Sequence, residues 1–227
     1  MDNNLGIIIL ALISFFVGAI PTGVIISKTI FGFDIRTKGS GNMGSTNVMR
    51  VLGTKWGIIV QIIDILKGYL PVYLISNFLA VELISGSYVF ENLIILKLIL
   101  GFSAVLGHVF SPFVKFKGGK GINTATGMLV AISPIDIGVA FVTFWLFVFS
   151  TGYISVGSIS AGLILPISLL IRYNLFNHEV NNYLIMLVFF VVVTLLILIT
   201  HKSNISRLKA GNENKFEKLH LFKFGAK

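Results

Sequence analysis

Long apolar blocks that contain almost no charge recur along the chain. They cover residues 5–27, 57–79, 93–112, 128–150, 153–171 and 183–200. A helix needs about 20 apolar residues to cross the hydrocarbon core of a bilayer, and most of the blocks approach that length. Their continuous apolar runs exclude the alternating pattern of a membrane β-barrel. The pattern therefore predicts an all-α polytopic membrane protein in which residues 1–227 form one domain.

Basic residues between the blocks predict the orientation, because Lys and Arg concentrate in cytoplasmic loops. They cluster in 28–55, in 115–120 and in the tail from 202, whereas 80–92 holds two glutamates and no cation. We therefore expect the N-terminus outside the cell and the C-terminus in the cytoplasm. Termini on opposite sides require an odd number of crossings, although the blocks number six.

Pro134 interrupts the 128–150 block. Dividing the block at this residue makes the number of membrane crossings odd. Proline removes a helical N–H donor and disfavours a helical conformation at the residue before it. We expect a short helix near 122–132 and a second helix near 136–150, which gives seven transmembrane helices. The alternative is five, with one block between 136 and 171 that does not cross fully.

Composition excludes several classes of protein. The chain is 55% hydrophobic and only 12% charged, which is too few charges for the surface of a soluble domain. It has no cysteine, so disulfides and a thiol nucleophile are excluded. The net charge of +9 indicates attraction to anionic membrane lipids or substrates rather than to nucleic acid. The sequence offers no metal-ligand cluster, so we expect no metal and no cofactor.

The first of three polar segments on the predicted cytoplasmic side covers 38–50. It contains Gly-Ser-Gly-Asn-Met-Gly-Ser-Thr-Asn at 39–47, followed by Arg50. Glycines expose backbone N–H groups, and the short polar side chains can donate hydrogen bonds and cap helices. If Thr46 or Asn47 caps the next helix, Arg50 lies in its first turn, where an anion is favoured. The alternative is a flexible loop.

The second polar segment covers 107–124 and contains Lys-Gly-Gly-Lys-Gly at 117–121. Successive backbone N–H groups beside a lysine suit a phosphate, although the spacing is not that of a Walker A loop. The alternative is a basic turn that only sets topology.

The third polar segment covers 201–213, where His201 and Asn204 share a helix face. Inside the second apolar block, Asp64 and Lys67 stand three residues apart and are expected to neutralise each other. Together the three segments combine cations with neutral hydrogen-bond donors. They predict a phosphate site at the cytoplasmic membrane surface, beside a cavity for an apolar tail.

These three segments, with Ile20-Pro21 and Asp64…Lys67-Gly68, resemble the signature motifs of the bacterial acyl-phosphate:glycerol-3-phosphate acyltransferases (PlsY type). The likeness extends from the first block to Glu213. It implies that the 1-hydroxyl of glycerol 3-phosphate attacks the carbonyl of a fatty acyl phosphate. The products would be lysophosphatidic acid and phosphate, in the first step of phospholipid synthesis. It also implies a multi-pass protein of the bacterial cytoplasmic (inner) membrane whose active site faces the cytoplasm. A functional link to an enzyme that produces acyl phosphate would follow.

The residues and the resemblance together assign roles to individual positions. Catalytic roles are expected for Ser40, Arg50, His201 and Asn204. Substrate or phosphate binding is expected for Gly118, Gly119, Lys120, Gly121, His108 and Ser155. Structural support is expected from Asn42, Asn47, Asp64, Lys67 and Glu213. Three departures from the family pattern are Gly152 in place of Arg, Ser111 before Pro112, and Asn123 in place of Ala.

Two other functions stay open at this point. A transporter of phosphorylated organic anions would place its site near the midplane, often with repeat symmetry, and no repeat is visible. A lipid phosphatase could use the same basic loops. For acyl transfer, we favour a substrate phosphate oxygen as the proton acceptor, with His201 as the alternative general base.

Overall fold

The computed structural model describes residues 3–79, 93–180 and 182–216, and every regular element within these ranges is helical. The α-helices are α1 (Asn3–Ala19), α2 (Thr22–Phe31), α3 (Ser45–Leu52), α4 (Thr54–Leu70), α5 (Leu93–Val109), α6 (Ile122–Ile132), α7 (Pro134–Thr151), α8 (Ile154–Asn174), α9 (Tyr183–Thr200) and α10 (Lys202–Lys209). Pro71–Leu79 continues α4 as a π-helix, and Ile35–Thr37 and Pro112–Val114 form 3₁₀ turns. The predicted all-α class is confirmed.

Five helices in the described ranges are long and apolar enough to cross a membrane. They are Thr54–Ser76, Leu93–Val114, Pro134–Thr151, Ile154–Asn174 and Tyr183–Thr200. A sixth crossing results if α1 and α2, which are bent by 40° at their junction, count together. Helix α6 is apolar but has only 11 residues, or about 16 Å at the rise of an α-helix. The count of seven spans therefore remains a prediction.

Proline explains both breaks in the apolar blocks. The break predicted at Pro134 is confirmed, because α6 ends at Ile132 and α7 begins at Pro134. Helix α7 starts two residues earlier than predicted, since proline fits the first turn of a helix. The first block is not one continuous helix, because Pro21 has no N–H to donate and separates α1 from α2.

The described chain contains two compact units, Met1–Ile132 and Ser133–Lys227, called the first and second unit below. In the first unit, α1 packs against α5 and α4 packs against α6 and α3. A Cβ atom on Gly68 or Gly127 would overlap the carbonyl of Thr124 or Ile65 on the facing helix, so α4 and α6 lie backbone to backbone. The prediction of a single domain remains a prediction.

In the second unit, α8 packs against both α7 and α9. Thr194 on α9 donates a hydrogen bond to the Gly162 carbonyl on α8, at 2.8 Å. The rings of Tyr173 and Tyr183 stack with their centroids 3.9 Å apart, where α8 ends and α9 begins. These contacts fix the register of α8 against α9.

Candidate active site

Asn47 organises the polar loop that carries Ser40. Its Oδ1 accepts a hydrogen bond from the Ser40 N–H at 2.8 Å, and its Nδ2 donates to the carbonyls of Lys38 and Asn42. The side chain is 1% exposed. One buried amide therefore closes the loop on itself and sets the position of the half-buried Ser40.

The expectation that Thr46 or Asn47 is the N-cap of the helix that contains Arg50 is wrong. Gly44 is the N-cap of α3. Asn47 lies inside the helix, and its side-chain amide bonds to the preceding loop. Arg50 lies in the last turn of this eight-residue helix, so the favourable N-terminal dipole does not act on it as predicted.

Two polar contacts within the first unit hold the second segment, one from the first segment and one from Arg36 just before it. Asn123, at the start of α6, donates a hydrogen bond to the Ser45 hydroxyl at 2.9 Å. The Arg36 guanidinium donates to the Val114 carbonyl at 3.4 Å. Asn42 supports the same region, since its Oδ1 accepts the Gly44 N–H at 2.8 Å. The loop with Ser40 and the helix α3 with Arg50 are therefore tied to the segment that carries Lys120.

The predicted cradle of glycine amides is wrong for two of its members. The N–H groups of Gly118 and Gly119 already donate to the carbonyls of Val109 and His108, both at 3.1 Å, and so complete the end of α5. A Cβ atom on Gly119 would overlap the imidazole of His108, which is 4% exposed. Gly119 is thus required for packing against His108. Lys120 is half-buried, and Gly121 has a positive φ of 78° just before α6.

Asp64 and Lys67 form the buried ion pair that their spacing predicts. Lys67 Nζ lies 2.6 Å from Asp64 Oδ1 and also donates to the Ile20 carbonyl at 2.6 Å. Ile20 lies at the bend between α1 and α2, where Pro21 cannot supply a backbone donor. The pair therefore stabilises the break in the first apolar block.

In the second unit, Glu213 joins the third segment to the start of α8. Its Oε1 accepts hydrogen bonds from Asn204 Nδ2 at 2.6 Å and from the Ser155 hydroxyl at 3.1 Å. Its Oε2 accepts from Arg207 Nε at 2.7 Å. The predicted site residues Ser155, Asn204 and Glu213 are thus in direct contact.

Glu213 fixes the orientation of the Asn204 amide. An ionised carboxylate only accepts hydrogen bonds, so the amide nitrogen of Asn204 must face it. The Oδ1 atom of Asn204 has no hydrogen-bond partner within residues 3–79, 93–180 and 182–216, and the residue is 4% exposed. Asn204 therefore presents an acceptor, not the donor that the sequence suggests.

His201 stands between α9 and α10 and is 2% exposed. Its Nδ1 lies 2.9 Å from the Ile197 carbonyl. A carbonyl only accepts, so Nδ1 carries the hydrogen in this contact. In the neutral ring, Nε2 is then the acceptor nitrogen.

Two carboxylates outside the apolar spans have lowered pKa values. Burial raises the pKa of Glu213, but the hydrogen bonds from Asn204 and Arg207 outweigh it and bring the net pKa below its ordinary value. The hydrogen bond from the Arg36 guanidinium holds the pKa of Asp34 well below its usual range, against the effect of burial. Both groups are therefore acceptors for their cationic neighbours near neutral pH.

Sequence reasoning missed a buried cluster around Asp136. This side chain accepts hydrogen bonds from Ser168 at 2.8 Å, from Arg172 at 2.7 Å and from Ser133. An acid inside an apolar block is the signal that could have found it. The cluster ties the start of α7 to the end of α8. In the described residues, no three His, Asp, Glu or Cys side chains gather as metal ligands.

The three departures from the family pattern all have structural roles. Gly152 ends α7 with a positive φ of 77°, and its carbonyl accepts the N–H of Phe216 at 2.9 Å. The Ser111 hydroxyl donates to the Ala19 carbonyl at 2.6 Å, where α1 ends. Asn123 makes the contact to Ser45 described above.

Residues 8–211 match the family model described as Glycerol-3-phosphate acyltransferase. A protein of that name from Chlorobium phaeobacteroides is 40% identical, over 94% of this chain and 97% of its own length. A protein of the same name from Fusobacterium nucleatum is also 40% identical, over 90% of this chain and 95% of its own.

Solved structures agree with these sequence matches. The crystal structure of PlsY (YgiH), an integral membrane glycerol 3-phosphate acyltransferase, matches in its glycerol 3-phosphate form with a TM-score of 0.77 and 35% identity, over 94% of this chain and 96% of that chain. The lysophosphatidic acid form matches with a TM-score of 0.75 and 33% identity, over 95% and 97%. The chain therefore belongs to the glycerol-3-phosphate acyltransferase family.

Proposed function

We propose that this membrane acyltransferase moves a fatty acyl group from acyl phosphate to the 1-hydroxyl of glycerol 3-phosphate. The hydroxyl oxygen bonds to the acyl carbonyl carbon, the bond from that carbon to the phosphate oxygen breaks, and lysophosphatidic acid and inorganic phosphate leave. The observation that carries the proposal is the likeness, over nearly the whole chain, to a structure described in glycerol 3-phosphate and lysophosphatidic acid forms. An enzyme that produces acyl phosphate would supply the donor.

The active site is proposed to face the cytoplasm of the bacterial inner membrane, in a chain of seven crossings with its N-terminus outside. Basic residues in 115–120 and after 202 support this orientation. The hydrogen bond between Ser155 and Glu213 supports two crossings between them, because it brings the start of α8 beside the segment that follows α10. The long apolar helices, with α1 and α2 counted as one, give six crossings. The shorter helix α6 would provide the seventh.

Phosphate binding is assigned to the side chains of Arg50 and Lys120, whose charges can neutralise phosphate oxygens. The Ser40 hydroxyl is assigned to orient substrate or to stabilise the oxyanion that forms during transfer. Of the glycine run, Gly118 and Gly119 support the loop through α5, since their N–H groups bond to its last carbonyls. The lysine side chain, not a full amide cradle, is therefore the main phosphate ligand of this segment.

Asn204 is assigned to accept a hydrogen bond from a substrate hydroxyl through Oδ1, because Glu213 holds its amide nitrogen. No covalent enzyme intermediate is needed, since phosphate is already a good leaving group. We favour a substrate phosphate oxygen as the acceptor of the hydroxyl proton, with His201 binding phosphate. For this role His201 must be protonated, because its Nδ1 donates to Ile197 and a neutral Nε2 only accepts.

The reaction is tested with purified protein in lipidic micelles, supplied with palmitoyl phosphate or palmitoyl-CoA. We expect palmitoyl phosphate to be the only donor. Phosphate release should require glycerol 3-phosphate and should equal the formation of lysophosphatidic acid. Phosphate release without glycerol 3-phosphate would indicate a phosphatase instead. Binding of glycerol 3-phosphate without turnover of either donor would revive the transporter.

The topology is tested by single cysteines, for which the cysteine-free chain gives no background. Lys117→Cys is expected to react with a membrane-impermeant maleimide only after the membrane is opened. Glu179→Cys is expected to react in intact spheroplasts. The reverse pattern would contradict the proposed orientation.

A further inference from the structure

The second segment leaves α5 through a loop that its own backbone closes. The two glycine amides that bond to the end of α5 form the base of this loop. Nearer the tip, the Phe116 N–H donates to the Ser111 carbonyl at 2.9 Å. The Ser111 hydroxyl donates to the Ala19 carbonyl and so fixes the loop against the end of α1. Residues 112–117, called the loop tip below, are therefore held in one conformation.

Two residues of the loop tip have a backbone conformation that favours glycine. Lys115 has a φ of 57° and Phe116 a φ of 59°. Such values are uncommon for residues with a side chain, and most of all for bulky ones. The N–H groups of Lys115 and Lys117 maintain this conformation by donating to the carbonyls of Pro112 and Val114, both at 3.2 Å. The chain thus carries a cation and an aromatic ring where glycine would be less strained, which indicates a function for these side chains.

The loop tip presents aromatic rings and cations together on its surface. Phe113 and Phe116 are 60% and 65% exposed. Lys115 and Lys117 are exposed in the same short stretch, whereas Val114 is buried in the apolar core of the first unit. Rings beside lysines suit a boundary between an apolar phase and an anionic surface, because each side chain then meets its preferred surroundings.

An exposed apolar face of α1 leads to the loop tip. Ile8, Leu12 and Phe16 follow each other at a spacing of four residues and are 55%, 51% and 50% exposed. The Phe16 ring lies 6.3 Å from the ring of Phe113, measured between centroids. An exposed apolar face of this kind on an integral membrane protein contacts lipid. The apolar helix Leu93–Val114 also ends at the loop tip, which therefore lies where the lipid-facing surface meets the headgroups.

We propose that the loop tip binds anionic phospholipid headgroups at the membrane surface. The rings of Phe113 and Phe116 enter the boundary of the acyl chains, and the ammonium groups of Lys115 and Lys117 contact headgroup phosphates. The occupant is lipid rather than a soluble protein, because the exposed rings continue the lipid-facing side of α1.

Lipid bound at the loop tip would also position the backbone that leads to Lys120. The base of the loop is closed by hydrogen bonds, so a tip held at the membrane surface limits where Lys120 can lie. This consequence rests on the proposed role of Lys120 in phosphate binding. Lipid binding itself does not depend on that role.

The test uses tryptophan fluorescence in vesicles of phosphatidylcholine, with brominated phosphatidylglycerol or brominated phosphatidylcholine as the quencher. Trp56→Phe and Trp145→Phe first remove the two native tryptophans. Phe116→Trp then reports the loop tip. Phe176→Trp is the matched control, because Phe176 is 76% exposed and has no lysine beside it in the sequence.

Charge is tested by replacing both lysines of the loop tip. Lys115→Gln with Lys117→Gln removes the two charges, and Lys115→Arg with Lys117→Arg keeps them. The KM for glycerol 3-phosphate is measured for both pairs in vesicles with and without phosphatidylglycerol.

We expect brominated phosphatidylglycerol to quench Phe116→Trp several-fold more than brominated phosphatidylcholine, and the two lipids to quench Phe176→Trp equally. The glutamine pair should abolish this preference and raise the KM several-fold in phosphatidylglycerol vesicles, the arginine pair should retain both, and salt should weaken the preference.

Three results would overturn the lipid site. They are equal quenching of Phe116→Trp by the two lipids, an unchanged preference in the glutamine pair, and no quenching by either lipid, which would leave the tip open to a soluble partner. A lost preference with an unchanged KM would refute the link to Lys120. None of these results would alter the expected release of phosphate with lysophosphatidic acid, which tests the acyltransferase reaction separately.

Discussion

Glu213→Gln is the substitution that tests the hydrogen-bond network of the third segment most sharply. The Glu213 carboxylate accepts three hydrogen bonds, and its side chain is 6% exposed. Gln keeps one oxygen and replaces the other by an NH₂ group, which faces a donor in either orientation. In one orientation the NH₂ group faces the Arg207 guanidinium, and in the other it faces the Asn204 NH₂ group.

The magnitude follows from the bonds that are lost. A hydrogen bond to a charged group contributes about 1.5–3 kcal/mol to stability. Since the Arg207 side chain is 31% exposed, solvent screening reduces its share. We therefore expect Glu213→Gln to lower the free energy of unfolding by about 2 kcal/mol. Turnover should fall as well, because Asn204 loses the group that fixes its amide orientation.

The pH dependence has a defined sign, since the folded-state pKa of Glu213 is below its ordinary value. The stabilisation is present in full above the ordinary pKa and is lost as pH falls through the lowered pKa. The difference in unfolding temperature between wild type and Glu213→Gln should be constant near neutral pH and shrink in acid. The exposed Glu179→Gln is the matched control and should differ little from wild type at any pH. A difference that is equal at all pH values, or no difference at pH 7, would refute the reasoning.

Three further substitutions test separate contacts. Gly119→Ala should destabilise the protein by about 1–3 kcal/mol in thermal unfolding, because its methyl group overlaps the buried His108 ring; equal stability would contradict the packing. Asn123→Ala should cost about 1 kcal/mol and reduce turnover modestly through lost contact with Ser45, whereas Asn123→Ser should retain part of both. Asp136→Asn should cost about 3–5 kcal/mol, because it leaves Arg172, whose side chain is 15% exposed, without a counter-charge; a neutral effect in unfolding assays would refute that account.

The sequence predicted the helices and their breaks correctly where the cause lies in neighbouring residues. Apolar length predicts the long helices, and the missing N–H of Pro134 predicts the break between α6 and α7. Asp64 and Lys67 pair because residues three apart share a helix face. The bend at Pro21 escaped prediction, because the apolar block continues on both sides of it and its support comes from Lys67, far along the chain.

The site residues were named from sequence, but apart from the pair of Asp64 and Lys67 their contacts were not. Asn47 was expected to cap a helix, a role that depends on adjacent residues, yet its partners lie in the preceding loop. The amides of Gly118 and Gly119 were expected to bind phosphate, yet they complete the end of α5. Asn204 was expected to donate, and only its contact with Glu213 identifies it as an acceptor. Each difference arises from a partner that is near in sequence but lies beyond the i+3 and i+4 positions that helical spacing brings together.

The most direct test of the central claim is a measurement of both products for wild type, Arg50→Ala and Lys55→Ala. Palmitoyl phosphate and glycerol 3-phosphate are supplied in lipidic micelles, and lysophosphatidic acid and phosphate are followed together. Lys55 is an exposed cation of the same region that stacks near Trp56, so it controls for loss of charge alone. Equal appearance of both products in wild type and Lys55→Ala, and loss of both in Arg50→Ala, is the predicted result. Full turnover in folded Arg50→Ala, or phosphate without lysophosphatidic acid in the wild type, would contradict the account.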